Sequence, residues 1–313
     1  MFYFGGKSSV ADVVWSALGQ PKHYLEPFFG SGAVLLNRPN YDPQVHIETV
    51  NDKDGFISNV WRSIQFSPEK TAKWCDWPVN HADLCARRKT LLANESKLLE
   101  NLIADDAWHD PKLAGYWIWA ASCWIGSGLT RSNAIPYIGN SGMGVNKLSL
   151  GQIPSLTAAG MGVNKQSVSH PGDIYRWFVE LSGRLRRVRV VCGDWSRVCG
   201  GNWQDKMGQV GIFFDPPYGV EDRSGVYHKE SQTVAQDVEA WCLERGEKET
   251  YRIVLAGYDT EHQALGDAGW EVYNWTADGG YSNVGKGDNQ NRKRETLWLS
   301  PYCLHTEKQM ELF

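Results

Sequence analysis

Gly211-Ile212-Phe213-Phe214-Asp215-Pro216-Pro217-Tyr218 decides how this sequence is to be read. Val210 and the residues up to Phe214 spell a short buried strand, and the two prolines stop it abruptly. A residue before proline is driven into extended conformation, and the proline ring fixes its own φ. The strand therefore ends in a stiff edge that holds the Asp215 carboxylate and the Pro216 carbonyl towards a common point. Two fixed acceptors suit an amino group, which has two hydrogens to donate. Tyr218 adds a flat face for the ring that bears it, and Pro217 stiffens the turn between them.

Outward from this stretch, short apolar runs repeatedly precede turns. Residues 23–27 lead into Phe28-Phe29-Gly30-Ser31-Gly32, 45–50 into Asn51-Asp52, 187–192 into Gly193-Asp194, and 252–256 into Gly257-Tyr258. Residues 271–275 and 295–299 supply two last strands. Helices fit between them: 33–37, 231–245, and a segment behind Asp173 whose Ile174, Trp177, Phe178, Leu181 and Leu185 recur at helical spacing. Strands alternating with helices predict an α/β fold with a mostly parallel sheet and ligand sites at the strands' C-terminal ends.

At one such end stands Glu26-Pro27-Phe28-Phe29-Gly30-Ser31-Gly32-Ala33, where glycines let a ligand approach the backbone closely. Asp52 ends the next strand roughly 20 residues later, where an acidic side chain suits the two hydroxyls of a ribose.

The stretch 66–172 reads differently. It opens helical and tryptophan-rich (Trp74, Trp77, Trp108, Trp117, Trp119, Trp124) and turns into a glycine- and asparagine-rich region over 126–172. A loop of that length inside a compact domain is usually functional or mobile. Gly142-Met143-Gly144-Val145-Asn146-Lys147 recurs at 160–165. Glycine permits close approach, and asparagine with Lys147 and Lys165 supplies donors, so a contact surface is expected there.

Composition bounds the rest. The 313 residues allow about two domains. No apolar run reaches the ~18–20 residues of a membrane span. The first residues lack the regions of a secretion signal, so a soluble, cytoplasmic protein is expected. Seven cysteines without a Cys-x-x-Cys pair and eight histidines without ligand spacing give neither a disulfide framework nor a metal site. The formal charge of −4 restricts any nucleic-acid contact to a local basic face. Fifteen tryptophans build a core, and a few could act as stacking surfaces for bases.

Taken together and in this order, the motifs resemble the Dam-like family of S-adenosylmethionine-dependent DNA adenine-N6 methyltransferases. Gly5-Gly6-Lys7 is similar to the family's opening Gly-Gly-Lys, Phe28 to Gly32 to its cofactor loop, Asn51-Asp52 to its ribose-binding acid, and Asp215 to Tyr218 to its catalytic motif. Gly193-Asp194-Trp195 resembles the element whose aspartate faces the cofactor adenine, and Glu295-Thr296-Leu297-Trp298-Leu299-Ser300-Pro301 the closing strand. The resemblance implies a Rossmann-like methyltransferase sheet (1–65 and 173–313) with an inserted, mainly helical and loop-rich target-recognition domain (66–172). It implies Asp215, Pro216, Pro217 and Tyr218 as the catalytic motif. S-adenosylmethionine would then be held by Tyr3, Gly5, Gly6, Lys7, Glu26, Pro27, Phe28, Phe29, Gly30, Ser31, Gly32, Asp52, Asp194 and Asp215. The middle departs from the pattern of enzymes that methylate GATC, which leaves the target sequence open.

Double-stranded DNA is the implied partner, with the adenine flipped out of the stack. Besides Lys147 and Lys165, its contacts are expected from Arg223 in a loop over 219–232 and from Arg292, Lys293 and Arg294. The arginines at 184, 186, 187 and 189 suit a solvated helix face as well as phosphate. Methylation of cytosine N4, an RNA or protein amine substrate, and a degenerate fold that only binds DNA are the alternatives, and pairing with a restriction enzyme is a further open role. Gln309-Met310-Glu311-Leu312-Phe313 resembles the Gln-x-x-Leu-Phe peptide that docks on the sliding clamp of bacterial replication.

Overall fold

The computed structural model describes residues 7–123, 129–130, 174–217, 227–275 and 295–304. These fall into two compact units, one within Gly6–Asn51, Gly193–Gly279 and Lys286–Phe313, the other within Asp52–Cys192.

The first unit is built on strands. They are β1 (His23–Glu26), β2 (Ile47–Asp52, whose last residue belongs to the second unit), β4 (Val210–Phe214), β5 (Tyr251–Tyr258), β6 (Glu271–Asn274) and β7 (Glu295–Leu299). They lie side by side in the order β2-β1-β4-β5-β7-β6. β1 runs parallel to both β2 and β4, and β4 parallel to β5, whereas β7 is antiparallel to β5 and to β6. This mixed α/β architecture agrees with the Rossmann-like methyltransferase sheet expected.

Every residue of β1 and β4 is buried, as befits central strands covered on both faces. Phe213, Phe214, Ile253, Leu255, Leu297 and Trp298 form the core, with Trp15 of α1 (Ala11–Leu18) donating its Nε1–H to the Val34 carbonyl at 2.7 Å. β6 alternates half-buried and exposed residues, the pattern of an edge. The strands follow the expected ranges to within a few residues. The helix expected over 231–245 instead runs Tyr227–Gly246, so the loop expected over 219–232 gives way to helix at Tyr227.

Among its described residues the second unit holds five helices: α3 (Gly55–Phe66), α4 (Pro68–Cys75), α5 (His81–Ala104), α6 (Pro111–Cys123) and α7 (Ile174–Leu185), with strand β3 (Arg189–Cys192). Local chemistry starts them: Asp54 accepts from the Phe56 N–H at 2.7 Å, Asn80 from that of Ala82 at 2.8 Å, and Pro68 opens α4. α4 and α6 pack so closely at Gly115 that a Cβ there would stand 2.4 Å from the Trp74 Cβ. Trp117 and Trp119 are core residues. Arg87, itself buried, lies over the rings of Trp77, Tyr116 and Trp119 at 4.7, 4.4 and 4.4 Å and donates to the Trp74 carbonyl at 2.8 Å. These contacts tie α5 to its two neighbours.

All seven cysteines are free thiols, five of them buried. Among the described residues no helix is long and apolar enough to cross a membrane, and no group of three His, Cys, Asp or Glu could hold a metal ion.

Candidate active site

In the order β2-β1-β4-β5, the chain turns to opposite sides of the sheet after β1 and after β4. The crevice beyond the C-terminal ends of these two neighbours is where open α/β sheets bind ligands. β1 ends there in Glu26-Pro27-Phe28, and β4 in Asp215-Pro216.

The turn after β1 has the backbone the sequence predicted. Gly30 (φ 46°) and Gly32 (φ 67°) lie in the left-handed region that other residues avoid, and Gly32 leads into a single turn, Ala33–Leu36. The Phe29 N–H donates to the Asn51 carbonyl at 2.9 Å, and the Gly32 N–H to that of Phe29 at 2.8 Å. Asn51 is buried, and its Nδ2 donates to the carbonyls of Pro27 and Gly193, both at 3.0 Å. One side chain thus fixes the mouth of the loop. Its Oδ1 is a buried acceptor with no hydrogen-bond partner among the described residues, an atom that a donor group on a bound ligand would satisfy.

Asp215 is half-buried, Pro216 buried and Pro217 exposed. Beneath them Phe214 touches Phe28, Trp195 and Trp241 at ring separations of 6.4, 6.0 and 5.4 Å, which holds the end of β4 rigid. Lys7, only 5% exposed, sends its ammonium between two carboxylates, 3.0 Å from Asp215 Oδ1 and 3.7 Å from Glu295 Oε2. Burial alone would lower its pKa, but Asp215 and Glu295 outweigh that and raise it, so Lys7 stays a cation at neutral pH.

Glu26 behaves in the opposite way. It is fully buried, and burial drives its carboxyl well above the usual carboxylate range. The Tyr24 hydroxyl, which donates to Oε2 at 2.9 Å, offsets part of this, while the Asp215 charge adds to it.

The structure therefore brings Lys7, Glu26, the glycine turn and Asp215 to one crevice. Asp52 closes β2 and accepts from the Asp54 N–H at 2.8 Å. Asp194 is exposed and accepts from the Ser196 N–H at 3.0 Å and from its hydroxyl at 2.6 Å. Tyr3, Gly5, Gly6, Tyr218, Lys147, Lys165, Arg223, Arg292, Lys293, Arg294, the internal repeat and the tail 309–313 lie outside the described residues. Arg186, Arg187 and Arg189 are exposed and Arg184 half-buried.

Sequence reasoning did not assign roles to Asn51 or Glu295. Asn51 left a signal, a polar residue at the end of an apolar strand, but Asp52 beside it drew the reading. Glu295 opens a strand that pairs with β5, and only the pairing shows that it faces the ammonium of Lys7.

Residues 3–99 match the family model of the D12 class N6 adenine-specific DNA methyltransferases. The match spans the glycine turn, Asp52 and much of the helical segment after them, and it agrees with the resemblance to Dam-like enzymes read from the motifs. It supports adenine methylation in DNA as the activity class. Among curated proteins no match is found.

Proposed function

From that family likeness we infer that the protein transfers a methyl group from S-adenosylmethionine to N6 of a flipped-out adenine in DNA. The observation that carries the reading is Asp215 held rigidly at the switch point of the sheet, facing the same crevice as the glycine turn.

The residues fit the cofactor. Gly30 and Gly32 leave room for close backbone approach, and the buried Asn51 Oδ1 offers an acceptor that no described residue uses. Phe28 to Gly32, with Lys7 and Glu26, would hold S-adenosylmethionine; the resemblance adds Asp52 for its ribose and Asp194 for its adenine. When bound, that group supplies an electrophilic methyl on a sulfonium.

What the chain contributes is position and electrostatics. The Asp215 carboxylate and the Pro216 carbonyl accept the two N6 hydrogens, which aims the nitrogen lone pair and raises its electron density. A hydrogen bond to an ionised acceptor is roughly twice as strong as a neutral one. Such acceptors act through a geometry fixed before reaction, without a covalent enzyme intermediate. Tyr218 would stack on the flipped base, which costs a few kcal/mol to extrude from duplex DNA.

The segment 66–172 would read the target, with Lys147, Lys165, Arg223, Arg292, Lys293 and Arg294 on phosphates. Docking of 309–313 on a sliding clamp, a cytoplasmic location and pairing with a restriction enzyme complete the proposal.

Nucleoside analysis of DNA from cells expressing the chain tests it. N6-methyladenine is expected. N4-methylcytosine would transfer the same acceptor pair to cytosine, and unmodified DNA with normal S-adenosylmethionine binding would overturn the reading.

A further inference from the structure

Lys7, Asp215 and Glu295 come from three distant parts of the chain and meet in one buried ion cluster. We propose that Glu295 is a positioning residue, which shares the Lys7 ammonium with Asp215 and takes it over when a substrate amine claims the Asp215 carboxylate. The inference rests on the reading of Asp215 as the amine acceptor.

The geometry argues for a hand-over. At 3.0 Å the ammonium is within hydrogen-bond range of Asp215, while at 3.7 Å from Glu295 it is within ion-pair range but not yet hydrogen-bonded. An arriving amine must compete with Lys7 for Asp215. A buried ammonium that merely lost its partner would be strongly disfavoured. A second carboxylate within reach of the same three-donor group removes that obstacle.

Glu295 is well placed for the task. It is the first residue of β7, paired with Tyr258 of β5, and its carbonyl accepts from the Trp275 N–H at 3.1 Å, so its backbone is held on both sides. Its side chain is 13% exposed, which limits competition from water. The Trp275 ring lies 6.0 Å from Nζ, and Tyr258, among the described residues, also acts on Lys7. Because Asp215 and Glu295 together keep Lys7 protonated despite its burial, the lysine serves as a mobile counter-ion and not as the base that removes the amine's proton.

Two measurements on the full chain decide this. The first needs no activity: nitrogen-15 lysine spectra titrated with pH, Lys7 being assigned by its absence in Lys7→Met. Glu295→Gln should lower the Lys7 pKa and Glu295→Asp should largely restore it; an unmoved Lys7 overturns the sharing, even if Glu295→Gln is well folded. The second is single-turnover methyl transfer from tritiated S-adenosylmethionine to amplified, unmethylated DNA. Glu295→Gln should slow transfer about tenfold or more, as misplacement of a reacting group does, with cofactor affinity by calorimetry little changed. In the Lys7→Met background the same change should have almost no further effect, because Glu295 acts through Lys7. An equal loss in both backgrounds overturns the proposal. A wild-type chain that transfers nothing to DNA would sink the functional reading, and the lysine titration would still decide whether Glu295 shares Lys7.

Discussion

Replacing Asp215 by alanine separates catalysis from cofactor binding. The change removes a preorganised acceptor aimed at developing charge, a loss worth about 2.7–4 kcal/mol, or about 10²–10³ in rate, in comparable electrostatic sites. It also removes the nearer of the two carboxylates that hold the buried Lys7 ammonium, at 3.0 Å, and leaves Glu295 at 3.7 Å. Loss of one charged hydrogen bond in such a place costs about 1–3 kcal/mol of stability, which lowers the melting temperature without unfolding the domain. Asp215→Asn keeps one acceptor oxygen on the same backbone, so it should retain measurable transfer, between wild type and alanine. Single-turnover transfer to unmethylated DNA, thermal melts, and calorimetry with S-adenosylmethionine give the three readouts. An alanine variant with near-normal transfer refutes the mechanism. So does a loss that saturating cofactor restores in full.

Glu26 has a folded-state pKa raised by burial, so the folded protein binds the extra proton. Its contribution to stability is complete below the ordinary glutamate value of about 4.3 and declines, at up to about 1.4 kcal/mol per pH unit, as pH rises towards the folded value. The melting temperature of Glu26→Gln relative to wild type should therefore climb from pH 5 to pH 8, and parallel curves would contradict the burial argument. Gly115→Ala places a methyl 2.4 Å from the Trp74 Cβ and 2.9 Å from the Thr71 carbonyl, and urea unfolding should show a loss of about 1–3 kcal/mol; an unchanged midpoint would mean that the α4–α6 approach is looser than described. Deleting the repeat at 160–165 should weaken DNA binding in a polarisation assay and leave cofactor affinity intact, and an equal loss of both would make the segment structural.

The central strands β1 and β4 are legible because all their residues are buried and they lead into turns set by glycine or proline. Val210–Phe214 and Glu295–Leu299 match the reading residue for residue. The start of the helix Tyr227–Gly246 is not: charged residues such as His228 and Lys229 look like a solvated loop and carry no apolar period, so the sequence predicts a helix only from Ser231. The tryptophans show the same limit. Composition cannot distinguish a stacking platform from a packed ring, and only the contacts show Trp119 holding Arg87 and donating to the Trp77 carbonyl at 2.9 Å. In the site, motifs disclosed the residues that could touch a ligand, Lys7, Glu26, Gly30, Gly32 and Asp215. The residues that hold those in place stayed hidden, because Asn51 and Glu295 gain their meaning from strand neighbours far away in sequence.

That difference follows from how the sheet assembles the crevice. β1 and β4 are adjacent only because the chain leaves β1 on one side and returns through β4 on the other, so Glu26 and Asp215 meet without any local signal linking them. β7 then enters antiparallel beside β5 and brings Glu295 level with Tyr258 at the same end. An ammonium placed between Asp215 and Glu295 offsets the negative charge that would otherwise gather where β4 ends and β7 begins. Charge balance in the resting site thus depends on the same carboxylate that the proposed reaction needs free, and this dependence is why Lys7 requires a second partner.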